Sequence, residues 1–179
     1  PVRPSSQAVA IARDRIREKT FIREQGLATA PFYAITSADD LATACAGLRL
    51  PAILKTAQLG YDGKGQWAVN GLDEAREGFH ELGGIPCILE ERVNLAREVS
   101  VILARSADGE IAAYPVGQNV HVNGILDTTR VPANITAQVA GQATDMAVRL
   151  AGAMQYCGVL AVEIFLTTGG ELLINEMAP

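Results

Sequence analysis

Short apolar runs separated by polar and glycine-rich turns dominate the pattern of hydrophobic and polar positions along the chain. Runs of about four to eight residues rich in β-branched side chains predict strands. We predict strands at residues 31–35, 51–56, 66–69, 87–91, 98–104, 111–114, 119–122, 125–129, 159–166 and 172–177. Apolar residues that recur about every three or four positions predict helices at residues 14–25, 37–48, 73–82 and 135–155.

Residues at the helix ends support two of these boundaries. Gly26 follows the first predicted helix and is a residue type that ends helices well. Ser37 stands three residues before Asp40, close to a capping box, so we predict Ser37 as the N-cap of the second helix.

The order of the elements predicts an α+β fold of two lobes with a cleft between them. Residues 1–12 begin with a polar, proline-containing stretch and are predicted to form a linker. Residues 13–88 are predicted to form a small lobe that carries a glycine-rich loop. Residues 89–179 are predicted to form a larger, antiparallel lobe.

Two glutamates lie in the last two predicted strands, which flank Gly169–Gly170. Paired glycines between apolar runs are typical of a two-residue hairpin loop. With that loop, counting back along the ladder places Glu163 directly opposite Glu176, with the Cβ atoms about 4.5–5.5 Å apart. Two carboxylates this close favour a bound cation, and oxygen ligands suit Mg²⁺. A slip in register, which would separate the two glutamates, is the alternative.

The composition is that of an ordinary globular protein, with 49% hydrophobic and 20% charged residues among 179. The net charge of −5 disfavours nonspecific nucleic-acid binding, so a phosphate ligand needs locally placed cations. The apolar stretches are shorter than the roughly 20 residues that span a bilayer. Three separate cysteines without metal spacing indicate a reducing, cytoplasmic compartment. Pro1 in place of an initiator Met predicts that the chain is part of a larger protein.

A glycine-rich segment lies between two predicted strands at residues 60–66 (GYDGKGQ). Its glycines leave backbone N–H groups available to hold an anion, and Lys64 adds a positive charge. Lys55 ends the preceding apolar strand, where an ammonium group favours an anionic partner. The spacing is that of neither a Walker A loop nor a Rossmann turn. An ordinary hairpin turn and a solvated lysine are the alternatives.

Acidic residues flank the turn that follows the predicted strand at 87–91. Glu90 lies in the strand before the turn, and Glu98 lies after it. A strand that runs into a linker between lobes offers backbone groups to an adenine edge. A nearby carboxylate accepts hydrogen bonds from ribose hydroxyls, as in dinucleotide sites. A charged turn between two strands explains the same residues equally well. His121 is a candidate cleft residue, although a lone strand histidine is more often structural.

Seven stretches spread over nearly the whole chain carry a further signal: residues 13–19 (RDRIREK), 30–32 (APF), 60–67 (GYDGKGQW), 98–101 (EVSV), 118–126 (QNVHVNGIL), 156–163 (YCGVLAVE) and 173–179 (LINEMAP). Taken in this order, they resemble the ATP-grasp superfamily, and within it the 5-(carboxyamino)imidazole ribonucleotide synthase family. The loop at 60–66 is specific to this branch of the superfamily. The resemblance implies the ATP-grasp fold, with ATP and Mg²⁺ as cofactors.

The resemblance also implies a role for each candidate residue. Lys55 and Lys64 would hold the phosphates of ATP and act in catalysis. Glu163, Glu176 and Asn175 would bind Mg²⁺. Because side chains alternate along a strand, Asn175 reaches the metal only if a twist or bulge turns it to the face of Glu176. The implied ATP site comprises Lys55, Gly60, Tyr61, Asp62, Gly63, Lys64, Gly65, Gln66, Glu90, Glu91, Arg92, Val93, Glu98, His121, Asn175 and Glu176.

Within that set, the resemblance divides the contacts among the parts of the ligands. Residues 90–93 would meet adenine, and Glu98 would bind the ribose. Tyr61 and Asp62 would contact the aminoimidazole ribonucleotide, and His121 would line the nucleotide cleft.

The activity implied by the resemblance is the ATP- and Mg²⁺-dependent carboxylation of 5-aminoimidazole ribonucleotide with bicarbonate, through carboxyphosphate, in purine biosynthesis. The family's amino-terminal domain and its Arg-x-His-Asn-Ser-Gly-His stretch lie outside these 179 residues. We therefore expect an ATP-binding core that is weak or inactive alone, and a homodimer for the full-length protein. Partners are expected to be small molecules, without nucleic acid or membrane. Another ATP-grasp carboxylate–amine ligase or carboxylase and a non-catalytic nucleotide-sensing module are the alternatives.

Overall fold

The computed structural model describes residues 2–58, 60, 65–122 and 124–179. Its helices are α1 (Ser6–Ala12), α2 (Arg15–Glu24), α3 (Asp40–Gly47), α4 (Leu72–Glu81) and α5 (Ala137–Ala153). Its strands are β1 (Phe32–Ile35), β2 (Ala52–Thr56), β3 (Gln66–Val69), β4 (Cys87–Glu91), β5 (Leu95–Arg105), β6 (Ile111–Ala113), β7 (Gly117–Val122), β8 (Ile125–Arg130), β9 (Gly158–Thr167) and β10 (Leu172–Ala178). Every predicted helix and strand is present. None of the helices in these residues is long and apolar enough to cross a membrane.

Helix α1 lies in the interval that was predicted to be a linker. The Ser5 hydroxyl caps it by accepting a hydrogen bond from the Ala8 N–H at 3.2 Å. Ala8 is buried in the same apolar cluster as residues of the large sheet. Residues 6–12 are therefore part of the packed structure and not a linker. The sequence does not reveal this, because a short helix is stabilised by tertiary burial and carries no long amphipathic pattern.

Helix α3 begins later than the capping prediction placed it. Ser37 is not the N-cap, since the helix starts at Asp40 and follows Asp39, which makes no side-chain capping bond. Instead, the Asp40 carboxylate accepts hydrogen bonds from the backbone N–H groups of Thr36 and Ser37, at 2.7 and 2.9 Å. The acid of the expected capping box thus organises the turn before the helix.

A small antiparallel sheet has the strand order β1-β4-β2-β3. Leu54 of β2 and Leu89 of β4 lie opposite each other and are fully buried. They belong to an apolar cluster with Leu41 of α3 and Phe79 of α4. Two helices therefore cover one face of this sheet, and the opposite face is left for the cleft.

A large antiparallel sheet has the order β10-β9-β5-β7-β8, with β6 paired to β5. Its core contains Val162 and Ile164 of β9, Leu150 of α5 and Ile22 of α2. This packing differs from the predicted lobes, because α2 adds its apolar side chain to the core of the large sheet. The helices at the beginning of the chain thus pack with the strands at its end.

The turn between β9 and β10 differs from the predicted two-residue loop. The Thr167 N–H donates to the Glu171 carbonyl at 2.9 Å, so the loop contains residues 168–170. The Thr167 hydroxyl also accepts a hydrogen bond from the Glu171 N–H at 3.0 Å. The loop is therefore one residue longer than the predicted Gly169–Gly170 loop. The glycine pattern does not reveal the Thr167 side-chain bond that supports the longer loop.

A β-bulge at Asn175 compensates for the longer turn. Near the turn, Ile174 pairs with Ile164, and the register then shifts so that Glu176 pairs with Glu163. The predicted pairing of the two glutamates is thus confirmed. The bulge that the resemblance required between Ile174 and Glu176 is also present.

Candidate functional site

A cavity of about 580 Å³ lies between the two sheets and the first turn of α2. Both sheets turn polar side chains into it, together with apolar residues such as Phe165. The predicted site residues that line it are Lys55, Gly60, Gln66, Glu90, Glu91, Arg92, Val93, Glu98, His121, Glu163, Asn175 and Glu176. The fold therefore brings together residues that are up to about 120 positions apart in sequence.

The predicted glycine-rich loop is described only at its two ends. Tyr61, Asp62, Gly63 and Lys64 lie outside the described residues, and their predicted contacts are untested. Gly65 does not line the cavity but packs against Thr56, whose backbone N–H donates to the Gly65 carbonyl at 2.9 Å. Its φ of +73° and the closeness of Thr56 explain why glycine is required there.

Glu163, Glu176 and Asn175 form the candidate metal-binding set. The two glutamates are paired across β9 and β10, and the bulge turns Asn175 into the cavity that Glu176 lines. Asn175 Oδ1 is buried and has no hydrogen-bond partner among the described residues. An acceptor oxygen without a donor, next to two carboxylates, fits the chemistry of a bound cation.

The raised pKa values of two carboxyl groups at this set also favour a bound cation. Burial, together with the charges of Glu176 and Glu98, raises the pKa of Glu163 to about 7. Burial also raises the pKa of Glu98. Within the described part of the chain, no group of three or more His, Cys, Asp or Glu side chains has the arrangement of a metal site. The third oxygen here is the amide of Asn175, and two carboxylates with one amide suit a hard cation such as Mg²⁺.

Lys55 has its anionic partner within the protein. Its Nζ donates to Glu90 Oε2 at 2.9 Å, and Lys55 is only 8% exposed, so the solvated-lysine alternative is wrong. Lys19 Nζ lies 3.6 Å from the other carboxylate oxygen, Glu90 Oε1. Burial raises the pKa of Glu90, but the charges of Lys19 and Lys55 outweigh it, and the net pKa is below the ordinary value. Glu90 is therefore an ionised group between two ammonium groups.

A protein-family model for the ATP-grasp domain matches residues 20–179. The chain belongs to the ATP-grasp family. The α+β fold with antiparallel sheets is confirmed by this match and by solved structures of the family. The functional role of each residue stays a prediction.

Relatives and solved structures narrow the similarity within the ATP-grasp family. An N5-carboxyaminoimidazole ribonucleotide synthase of Bacillus subtilis (strain 168) is 41% identical over 174 residues, which are 97% of this chain and 46% of that protein. A crystal structure of an N5-carboxyaminoimidazole ribonucleotide synthetase with ADP has a TM-score of 0.91 and 40% identity, covering 98% of this chain and 46% of the other. The Aspergillus clavatus enzyme, with ADP and 5-aminoimidazole ribonucleotide, has a TM-score of 0.87 and 25% identity, covering 98% and 46%. The chain thus spans about half the length of these relatives.

Two charged residues of α2 lie at or beside the cavity, and the sequence prediction missed them. Arg15 lines the cavity, and its Nη1 donates to Glu176 Oε2 at 2.6 Å. Burial lowers the pKa of Arg15, but the charge of Glu176 and its hydrogen bond, together with the charges of Glu18 and Glu90, outweigh burial, so the net pKa is raised. Glu18 is buried beside a smaller adjoining cavity of about 200 Å³. Arg15, Glu18 and the buried Ile22 are three and four residues apart and so lie on one face of the helix. Charged residues on the apolar face of a helix are the sequence signal that could have indicated their role.

His121 lies where the resemblance implies, in the lining of the ATP-grasp cleft. Its Nδ1 is 3.5 Å from Glu98 Oε2. The neighbouring Asn119 is buried, and its Nδ2 donates to Ser100 Oγ at 2.6 Å. The strand pair of β5 and β7 therefore holds Glu98 and His121 together at one end of the cavity.

Proposed function

We propose that this chain is the ATP-binding core of an ATP-dependent ligase that carboxylates 5-aminoimidazole ribonucleotide with bicarbonate. The carrying observation is the single cavity whose lining combines Lys55 and Glu90 with the carboxylate pair of Glu163 and Glu176. The similarity to N5-carboxyaminoimidazole ribonucleotide synthases over nearly all of the chain supports the choice of substrate. The complex of the Aspergillus clavatus enzyme with ADP and 5-aminoimidazole ribonucleotide supports both ligands.

The phosphates of ATP are held, in this proposal, by Lys55, Lys64 and the backbone of residues 60–66. Lys55 lines the cavity and pairs across β2 and β3 with Gln66, at the end of the loop. Positive groups fixed before the reaction offset the charge that develops on the transferred phosphoryl group. Tyr61 and Asp62 are assigned to the ribonucleotide.

The nucleoside is assigned to other residues that line the same cavity. Residues 90–93 run from β4 into the connection to β5, and all four line the cavity, in agreement with a role at the adenine edge. Glu98 is assigned to the ribose, whose hydroxyls would donate hydrogen bonds to its carboxylate. His121, 3.5 Å from Glu98, completes the wall.

Glu163, Glu176 and Asn175 would hold Mg²⁺. Bound there, the cation would neutralise charge on the phosphates and orient them for in-line transfer. Arg15 Nη1 donates to Glu176 Oε2 at 2.6 Å, so its guanidinium would share this carboxylate with the cation. The raised pKa of Glu163 reflects its burial first and then the neighbouring carboxylates of Glu176 and Glu98, and a cation there would offset both.

The proposed reaction has two steps. An oxygen of bicarbonate attacks the γ-phosphorus of ATP, the bond from this phosphorus to the bridging oxygen breaks, and ADP and carboxyphosphate form. The exocyclic amine of the ribonucleotide then attacks the carboxyl carbon, phosphate leaves and the amine loses a proton. Lys55 supplies charge to the first step, and a glycine-rich loop that covers the cleft would exclude water from the labile carboxyphosphate.

Three further features belong to the same proposal. The boundary between the lobes, expected near residue 88, is proposed to lie at the connection that follows β4 and leads to β5. The full-length protein is proposed to be a cytoplasmic homodimer. The chain alone is proposed to bind Mg·ATP better than it turns over substrates, since it spans about half the length of its relatives.

Titration calorimetry of the chain with ATP, with and without Mg²⁺, tests the proposal. We expect ATP binding that Mg²⁺ strengthens, and we expect the double variant Glu163→Gln, Glu176→Gln to lose the strengthening. The double variant Glu77→Gln, Glu81→Gln on exposed α4 is a matched control, because it removes the same charge outside the cavity. Full-length protein should release ADP only when bicarbonate and 5-aminoimidazole ribonucleotide are both present.

The outcomes separate the proposal from its alternatives. Binding that ignores both Mg²⁺ and the double substitution would contradict the metal assignment and favour a nucleotide sensor. ADP release by the full-length protein that depends on a different acceptor would leave the ATP site intact and make the proposed acceptor wrong.

A further inference from the structure

Lys19 is fully buried and does not line the cavity. Burial lowers the pKa of Lys19, and the charge of Glu90 opposes that shift. Lys19 lies on α2, and its Nζ donates to Thr29 Oγ1 at 2.9 Å and to the Ile174 carbonyl at 3.2 Å. The same Nζ is 3.6 Å from Glu90 Oε1. Burying an ammonium group costs free energy unless several partners compensate, so its place in the core needs an explanation beyond packing.

The partners of Lys19 come from both sheets. Glu90 belongs to β4 of the small sheet, and Ile174 belongs to β10 of the large one. Ile174 immediately precedes the bulge that turns Asn175 and Glu176 into the cavity. Lys19 thus contacts the strand assigned to adenine and the strand assigned to the metal at the same time.

The charges around Glu90 suggest what this contact does. Its carboxylate lies between two ammonium groups, Lys55 at 2.9 Å and Lys19 at 3.6 Å. Glu90 Oε1 is buried without a hydrogen-bond partner among the described residues. If Lys55 turns towards a phosphate, Lys19 stays beside the Glu90 carboxylate and compensates its charge, with a smaller contribution from Arg15.

We propose that Lys19 is a positioning residue that neutralises Glu90 when Lys55 engages the nucleotide, and that anchors β10 at the bulge which presents Asn175 and Glu176. This inference rests on the proposed ATP and Mg²⁺ site. It adds that nucleotide and metal binding are coupled through a buried side chain that touches neither ligand. Thr29 supports the role, because its hydroxyl donates to the Ile174 carbonyl at 2.9 Å and accepts from Lys19.

The test is calorimetric titration of the chain with ATP, with and without Mg²⁺, for the wild type, Lys19→Met and Thr29→Val. Lys19→Met keeps an unbranched side chain one heavy atom shorter than lysine and removes its charge. We expect ATP affinity to fall about tenfold or more, the size of loss seen when outer partners of a metal ligand are removed. We also expect the ratio of affinities with and without Mg²⁺ to fall towards one. Loss of packing alone would not change that ratio.

Arg17→Met is the matched control, because Arg17 is an exposed cation on the same helix. It should leave both the affinity and the ratio unchanged. Thr29→Val, which keeps the Lys19 side chain and removes one of its hydrogen-bond acceptors, should lower the ratio by a smaller factor. It decides the question if Lys19→Met does not fold.

Each outcome bears on the inference. An unchanged Mg²⁺ ratio in a folded Lys19→Met protein would overturn it and leave the proposed function intact. If Lys19→Met is unfolded, an unchanged ratio in Thr29→Val would overturn it. A wild-type chain that binds no ATP at either Mg²⁺ level would overturn both the inference and the proposed ATP site.

Discussion

Glu163 and Glu176 face each other across β9 and β10 because two departures from regular hairpin geometry cancel. The turn contains one residue more than a Gly-Gly loop, and the bulge at Asn175 takes up that extra residue further along. The bulge also places Asn175 on the face of the two carboxylates. One irregularity thus restores the register and completes the candidate metal set.

The turn predicts a different cost for its two glycines. Gly170 has a φ of +86°, a region that costs non-glycine residues about 1–2 kcal/mol, whereas Gly169 does not. We expect Gly170→Ala to lower the melting temperature by about 2–6 °C and Gly169→Ala to change it little. Thermal unfolding followed by circular dichroism measures both. Equal melting temperatures for the two variants would contradict the role of the turn in fixing the register.

The hairpin also indicates how far sequence reasoning reaches. The apolar runs and the glycines predict both strands and the opposed glutamates, because alternation and turn residues act locally. The position of the bulge is not predictable in the same way. It depends on the Thr167 hydroxyl, which bonds the Glu171 N–H and lengthens the loop. The predicted pairing of Glu163 with Glu176 is correct although the predicted loop is one residue too short. The bulge at Asn175, which only the resemblance implied, offsets that difference.

The buried charges of α2 could not be predicted from the sequence. The sequence assigns no site role to Arg15, Glu18 and Lys19, because charged residues on a helix are usually solvated. Their burial depends on partners about 70 to 160 positions away, among them Glu90 and the Met177 N–H. Tertiary pairing of this kind leaves no local pattern. The cavity residues of the later strands were easier to predict, since the resemblance supplied them.

Glu18 predicts a pH dependence of stability. Burial raises its pKa from 4.5 to about 8 in the folded chain. The folded chain therefore keeps a proton that the unfolded chain releases between pH 4.5 and 8, so stability falls as pH rises through that window. Glu163, with a pKa of about 7, acts in the same direction. We expect the melting temperature of metal-free protein to decline over this range.

The variant Glu18→Gln separates this contribution, because a glutamine can still accept the hydrogen bond from the Met177 N–H. Its melting temperature should decline less steeply between pH 4.5 and 8. Glu24→Gln, exposed on the same helix, should keep the wild-type slope. The same slope in Glu18→Gln and the wild type would mean that Glu18 titrates normally.

Two helical glycines predict stability changes of opposite sign. A Cβ on Gly141 of α5 meets nothing within 4 Å, so Gly141→Ala should stabilise the chain by about 0.5–1 kcal/mol through helix propensity. A Cβ on Gly78 of α4 would lie 2.5 Å from Trp67 Cδ1. Gly78→Ala should therefore destabilise by about 1–3 kcal/mol through overpacking. Urea unfolding of both variants tests the packing of α4 on β3, and stabilisation by Gly78→Ala would show that this contact is looser than described.

Arg15 predicts opposite effects on the two ligands of the proposed site. Its guanidinium is 2.6 Å from Glu176, whose side chain is 36% exposed, so the pair is partly screened by solvent. Removing this cation should strengthen Mg²⁺ binding in the absence of nucleotide several-fold, because Glu176 loses a competing positive charge. The same change should weaken ATP binding, because the cavity loses a positive charge near the phosphates. Calorimetric titrations of Arg15→Met with each ligand measure both effects. Arg17→Met, which removes an exposed cation two residues away, should change neither affinity. If Arg15→Met weakened Mg²⁺ and ATP alike, the guanidinium would act by holding Glu176 in place rather than by its charge.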